Sequence, residues 1–198
     1  MESNLAVKRE ELYTYEDYLS WDDGERWEII DGRAYLMASP SEAHQDISVE
    51  LTAQFRAFLR GKPCKVFHAP FDVRLFPDST KKHEKALVQP DLLVVCDQSK
   101  LDGSKVNGAP DMVVEILSLS NQRVDRYIKF KKYFQAGVRE YWIVDPENQV
   151  VQVFLLEEKR YVVMVYEAAD VLPCTVLPGL EIPLRDIFPA APTKNTEE

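Results

Sequence analysis

The sequence predicts an α/β (α+β) domain built around a mixed β-sheet flanked by helices. Three observations lead there. Helical and strand patterns follow one another in the order helix, hairpin, helix, strands, helix, strands. The strand candidates are short β-branched and aliphatic runs bounded by Gly, Pro, Asn and Asp. The chain has 198 residues, 45% hydrophobic and 29% charged, which is ordinary for a globular protein and long enough for one full core. No repeat, low-complexity tract or linker interrupts it, so residues 12–189 read as a single domain. Residues 1–11 are expected to be a loose N-terminus and 190–198 a disordered tail.

Thr14 can cap a short helix, YEDYLSW, with Asp17 as return partner in a capping box. RWEIIDGRAYLM sets two apolar runs around Asp31-Gly32, a hairpin signal. Pro40 and Ser41 open a longer helix whose apolar stripe is Ile47, Leu51, Phe55 and Phe58, with Gly61 as a stop. CKVFHAPFDVRLF reads as a strand interrupted or bent at Pro70, and LVQPDLLVVC as the next strand. PDSTKKHEK and KLDGSKVNGAPD read as exposed loops. DMVVEILS is a strand, a helix follows over roughly 122–136 and Gly137 ends it. EYWIVD, VVQVFLL and RYVVMVYEA are the closing strands, in a hairpin or meander, and LPGLEIPLRDIF is expected to pack back on the body. Tyr141 and Trp142 are expected in the core.

Composition narrows the function. No apolar run approaches a membrane span and MESNLAVKRE lacks a signal-peptide core, so a cytoplasmic protein without membrane contact is expected. Cys64, Cys96 and Cys174 are far apart without CxxC spacing, which predicts buried thiols rather than a disulfide or zinc. A net charge of -9 argues against indiscriminate nucleic-acid binding. The charge is uneven, however. Residues 1–31 carry ten acids and three bases, whereas 123–139 carry six bases and one acid, Asp125. Such a segment can touch phosphates or form one solvated helix face. No phosphate loop, serine triad or Cys–His pair is evident; LSLSNQR lacks the glycines of a phosphate cradle.

Glu115 poses the sharpest question, because it lies inside the aliphatic run VVEIL, where an unpaired charge is costly. If the strands carrying Asp91 and Glu115 pair with both carboxylates on one face, two like charges meet, and a divalent cation such as Mg²⁺ or Mn²⁺ resolves the conflict. A structural pairing with Arg, Lys or backbone donors is the alternative. Asp91 itself, after Pro90, can be a turn or strand-entry residue. Asp125, Lys129 and Tyr133 are successive i, i+4 positions on one helix face. If that face turns toward Glu115, Lys129 can position an attacking water or offset phosphate charge.

QPD at 89–91 and Glu115 in VVEIL, with 23 residues between the two acids, resemble the signature of the PD-(D/E)XK nuclease superfamily. Over roughly residues 12–189 the chain is similar to its Uma-type restriction-endonuclease family. The matching stretches are WEIIDGRAYLMASPSEAHQ, APFDVRL, VQPDLLVVCD, GAPDMVVEILSLSNQRVDRYIKFKKYFQAGVREYWIVDP and LPGLEIPL. The resemblance implies a restriction-endonuclease-like core with an N-terminal hairpin and C-terminal antiparallel strands. The superfamily pattern places lysine two residues after the acid, where this chain has Leu117; in the Uma-type family the lysine is thought to have moved to the next helix, and Lys129 matches it in D-x-x-x-K-x-x-x-Y.

By that resemblance Asp91, Glu115 and Lys129 are the implied catalytic set. Asp91 and Glu115, with Glu28 of WEIIDG as an extra carboxylate, are the implied metal side. His44, Asp72, Asp125 and Tyr133 fall at accessory positions. Read alone, Glu28 is a hairpin residue, His44 a structural histidine, and Asp72 a partner for Arg74 or a solvent-facing acid. Arg123, Arg126, Lys131 and Lys132, with the KKHEK loop, are the expected nucleic-acid contacts. The implied function is Mg²⁺- or Mn²⁺-dependent DNA hydrolysis by a bacterial endonuclease, acting as a homodimer because a double-strand cut needs two sites. The competing expectation is a catalytically silent nucleic-acid-binding or assembly module on the same fold, which the net charge and the missing E-x-K lysine favour. A structural protein unrelated to nucleic acid ranks below both.

Overall fold

In the computed structural model, residues 12–77, 84–118 and 124–188 are described. The expectations for the two termini, for Arg123 and for most of the KKHEK loop therefore lie outside the described residues.

Thr14 forms the expected capping box with Asp17 over α1 (Tyr15–Tyr18). β1 (Trp27–Ile30) and β2 (Arg33–Leu36) form the hairpin, with Asp31 and Gly32 both at positive φ, as its two-residue turn requires. α2 (Glu42–Phe58) is capped by Ser41 and buries Ile47, Leu51 and Phe55. β3 (Lys65–His68) and β4 (Asp72–Arg74) follow, then β5 (Ala86–Val88), β6 (Leu92–Val95), β7 (Lys105–Asn107) and β8 (Met112–Ile116). A π-wound segment, Val124–Lys129, continues into α3 (Phe130–Ala136), which Gly137 ends in the left-handed conformation. β9 (Glu140–Asp145), β10 (Val150–Glu157) and β11 (Arg160–Glu167) form the closing meander; β12 (Val171–Pro173), β13 (Glu181–Pro183) and α4 (Leu184–Ile187) end the described chain.

Two mixed sheets result, where the sequence pattern suggested one. The larger has order β11-β10-β9-β8-β6-β3 and the smaller β2-β1-β5-β4-β7. The reason lies at two prolines. The run around Pro70 divides into β3 of the larger sheet and β4 of the smaller, and the run around Pro90 into β5 of the smaller and β6 of the larger. Proline has no N–H to donate to a ladder, so each apolar run is cut there and changes sheet. The predicted loop KLDGSKVNGAPD also contains β7, paired parallel with β4. Three residues with one buried side chain, Val106, leave too short a pattern to read.

Both faces of the larger sheet are buried at its central strands β6, β8 and β9. On one, Leu92, Val94, Met112, Val114 and Trp142 pack against α2 and the C-terminal segment Leu172–Phe188. On the other, Leu93, Val95, Val113, Tyr141 and Ile143 meet the smaller sheet and α3, through Val73, Val88 and Tyr133. LPGLEIPLRDIF therefore packs on the body, and Tyr141 and Trp142 are fully buried, as expected.

The cysteine expectation is corrected. Cys64 and Cys96 form a disulfide, while Cys174 is a buried free thiol. Their sequence separation hides the pairing. The antiparallel register that sets Lys65 opposite Val95 places Cys64 opposite Cys96 one step further. Among the described residues no helix is long and apolar enough to cross a membrane.

Candidate active site

The site lies where the chain crosses between the sheets. Register pairs Leu92 with Val114, so Asp91 and Glu115 fall opposite one another at the ends of β6 and β8. Asp91 is held by two donors on Oδ2: the backbone N–H of Ile116 at 2.7 Å and His44 Nε2 at 3.1 Å. His44 arrives from the first turn of α2, its own N–H donating to the Ser41 cap. Burial pulls the His44 pKa down, but the hydrogen bond and charge of Asp91 outweigh this and raise it. His44 Nδ1 is buried without a partner.

The π-wound segment brings Asp125 and Lys129 to the same place. Such turns widen a helix and recur at functional sites. Lys129 is only 3% exposed. Its Nζ lies 2.8 Å from Glu28 Oε1, 3.0 Å from Glu115 Oε1 and 3.3 Å from Asp125 Oδ1. The Tyr133 hydroxyl donates to the same Glu115 Oε1 at 2.5 Å. Glu28 also accepts the backbone N–H of Gln89 at 2.8 Å. The lysine is thus three-way paired, and among the described residues no donor reaches Glu115 Oε2.

Electrostatics follow from that crowding. Burial, opposed by Lys129 and reinforced by neighbouring carboxylates, raises Glu115 well above the ordinary carboxylate range. The same causes push Asp125 up to about 7. Burial would lower Lys129, but Glu115, Glu28 and Asp125 together raise it, so it stays an ammonium. Three carboxylates (Glu28, Glu115, Asp125) therefore share one buried cation, with Asp91 beside them on His44.

A cleft of about 150 Å³ opens on this cluster, lined by Asp91, Glu115, Asp125, Lys129, His44, Arg26 and His68 among others. A sequence model of the Uma2 family, described as "Putative restriction endonuclease", matches residues 15–185. The chain belongs to the Uma2 family. It is 27% identical over 159 residues to the uncharacterised protein slr1290 of Synechocystis sp., covering 78% of this chain and 80% of that one. Its fold is that of a crystal structure titled as a putative nuclease of the DUF820 group, from Anabaena variabilis. That likeness has a TM-score of 0.71 at 18% identity and covers 88% of this chain and 97% of the other. The chain thus has a restriction-endonuclease-like fold and belongs to a family described as putative restriction endonucleases.

The residues suit a hard divalent ion. Carboxylate oxygens are its preferred donors, and Mg²⁺ typically takes one or two protein carboxylates and completes its shell with water and phosphate. Asp91 and Glu115 both line the cleft, each with one oxygen to which no described residue donates. Among the described residues no group of three His, Cys, Asp or Glu side chains converges to hold an ion unaided. Burial first, and neighbouring carboxylates after it, raise Glu115 and Asp125, so a bound cation would favour their ionised forms.

Other implied residues are placed differently. Glu28 does not line the cleft but supports Lys129 from behind. Asp72, half-buried, accepts from Gln89 Nε2 at 2.8 Å and burial raises its pKa; Arg74 pairs with Glu84 instead. Arg126 is committed to Asp145 at 2.7 Å and to Gln152, and Lys132 to Asp31 at 2.5 Å. Lys131 is exposed, and none of the three lines the cleft. Arg26 and Gln89 were not singled out by sequence reasoning. Arg26 stands directly before the WEIIDG motif and Gln89 begins QPD, so motif adjacency was the one available signal.

Proposed function

We propose that this chain is a Mg²⁺- or Mn²⁺-dependent endodeoxyribonuclease that hydrolyses phosphodiester bonds with water. The observation that carries the reading is Lys129, delivered from the following helix to 3.0 Å from Glu115, in a cleft shared with Asp91. This lysine occupies the role that Leu117 leaves vacant in the strand.

Asp91 and Glu115 would hold the ion, which supplies an acidified water and Lewis-acid stabilisation of phosphate charge. Ile116 N–H and His44 fix the Asp91 carboxylate, while Tyr133 and Lys129 fix Glu115, so both acids are oriented before substrate arrives. Lys129, an ammonium at any physiological pH, orients the water and offsets the charge gathering on the non-bridging oxygens. One O–P bond forms from water, one ester P–O bond breaks, and the leaving alkoxide takes up a proton; no enzyme atom becomes bonded to phosphorus. A cut of both strands would use two copies of the site, and we assign the working form as a homodimer, checked by sedimentation in solution.

The silent-module reading, which the net charge and the missing E-x-K lysine favour, gains one structural observation: Glu115 is already paired with Lys129 at 3.0 Å. Calorimetric titration of Mn²⁺ and Mg²⁺ into wild type, Asp91→Ala and Glu115→Ala separates the two. Saturable binding lost in both variants is the expected result. Absence of binding by folded wild type, with DNA present, would leave the silent module.

A further inference from the structure

The geometry points to Arg26 as a phosphate clamp, a cation preset by Gln89 to grip the non-bridging oxygens of a phosphodiester in the cleft. This rests on the reading of the site as one that takes nucleic acid.

Arg26 lines the same cleft as Lys129. Its backbone carbonyl accepts Met37 N–H at 2.9 Å, which anchors it at the root of the β1–β2 hairpin. Its guanidinium makes two hydrogen bonds, from Nε at 3.1 Å and from a terminal nitrogen at 3.0 Å, both to Gln89 Oε1. Among the described residues it makes no ion pair, although three carboxylates line the same cleft. An arginine in an acidic cleft that binds an amide keeps its whole charge, and the remaining N–H groups of its planar fork match two phosphate oxygens.

Gln89 fits this purpose. Its Nε2 donates to Asp72 Oδ1 at 2.8 Å and to the Tyr18 hydroxyl at 3.4 Å, which turns Oε1 toward Arg26. Asp72 thus acts on Arg26 through the amide, beside a weaker through-space attraction. The Gln89 backbone N–H meanwhile holds Glu28, the support of Lys129. One residue therefore holds Arg26 directly and Lys129 through Glu28. Arg26 is a binding residue and Gln89 a positioning residue.

The test measures binding of a short labelled DNA duplex by fluorescence anisotropy over a range of salt, with Ca²⁺ in place of Mg²⁺ to slow hydrolysis. Each phosphate contact contributes about 0.9 to the slope of log K against log salt. Arg26→Gln should weaken binding about tenfold and lower that slope by about one contact, whereas Arg26→Lys should keep the slope and lose part of the affinity. A folded Arg26→Gln that binds with wild-type affinity and slope overturns the clamp. If wild type binds no DNA, the nucleic-acid reading fails separately, and the clamp is judged with inorganic phosphate by phosphorus NMR. Line broadening by wild type that Arg26→Gln abolishes supports it, and equal or absent broadening overturns it.

Discussion

Lys129 is the residue on which the site turns. Removing its side chain leaves Glu28, Glu115 and Asp125 buried and facing one another, and loss of one member of a buried ionic group typically costs about 3–5 kcal/mol. Lys129→Ala should therefore lose that much unfolding free energy in a urea titration, and saturating Mn²⁺ should restore part of it. A change below about 1 kcal/mol would mean that the ion pairs contribute no more than exposed ones. The pattern Asp125, Lys129, Tyr133 was legible in the sequence because all three lie within two helical turns. The partnership of Arg26 with Gln89 was not, because 63 residues separate them and neither belongs to a charge pattern.

At the scale of elements, α3 depends on how it stops. Gly137 has φ 82°, and nothing lies within 4 Å of where a Cβ would stand, so a substitution there meets backbone strain without a clash. Gly137→Ala should cost about 1–2 kcal/mol, with Gly137→Asn costing less, both read by chemical denaturation. Helices and the DG hairpin were legible because caps, turn residues and apolar spacing are local. Strand allegiance was not. Pro70 and Pro90 plainly interrupt strands, but only the assembled sheets reveal that each interruption moves the chain from one layer to the other. The same holds for Cys64 and Cys96, whose pairing follows from the β3–β6 register and from nothing in their spacing, and for β7, which exists through its partner β4.

For the molecule as a whole, the site is a store of negative charge inside a two-sheet core, and stability should depend on pH accordingly. Asp125, pushed up to about 7, and Glu115, also raised, hold protons in the fold that they release near pH 4 when unfolded. Their favourable contribution is full below about pH 4; the Asp125 part is lost as pH rises through about 7, and the Glu115 part as pH rises through its own raised value. Without metal, this cluster should lower the melting temperature across that window. Mn²⁺, which binds the ionised carboxylates, should raise it more at pH 8 than at pH 5; a shift equal at both would separate the ion from these acids. The resemblance located the acids, and the sheet registers explain why one place gathers them. The account stands most directly on supercoiled-plasmid cleavage in Mg²⁺ or Mn²⁺ by wild type, Glu115→Gln and Lys129→Gln, with folding checked by circular dichroism. It predicts cleavage by wild type that chelation stops and that each substitution reduces by at least about a hundredfold. Cleavage that persists in both folded variants, or in chelator, would contradict it.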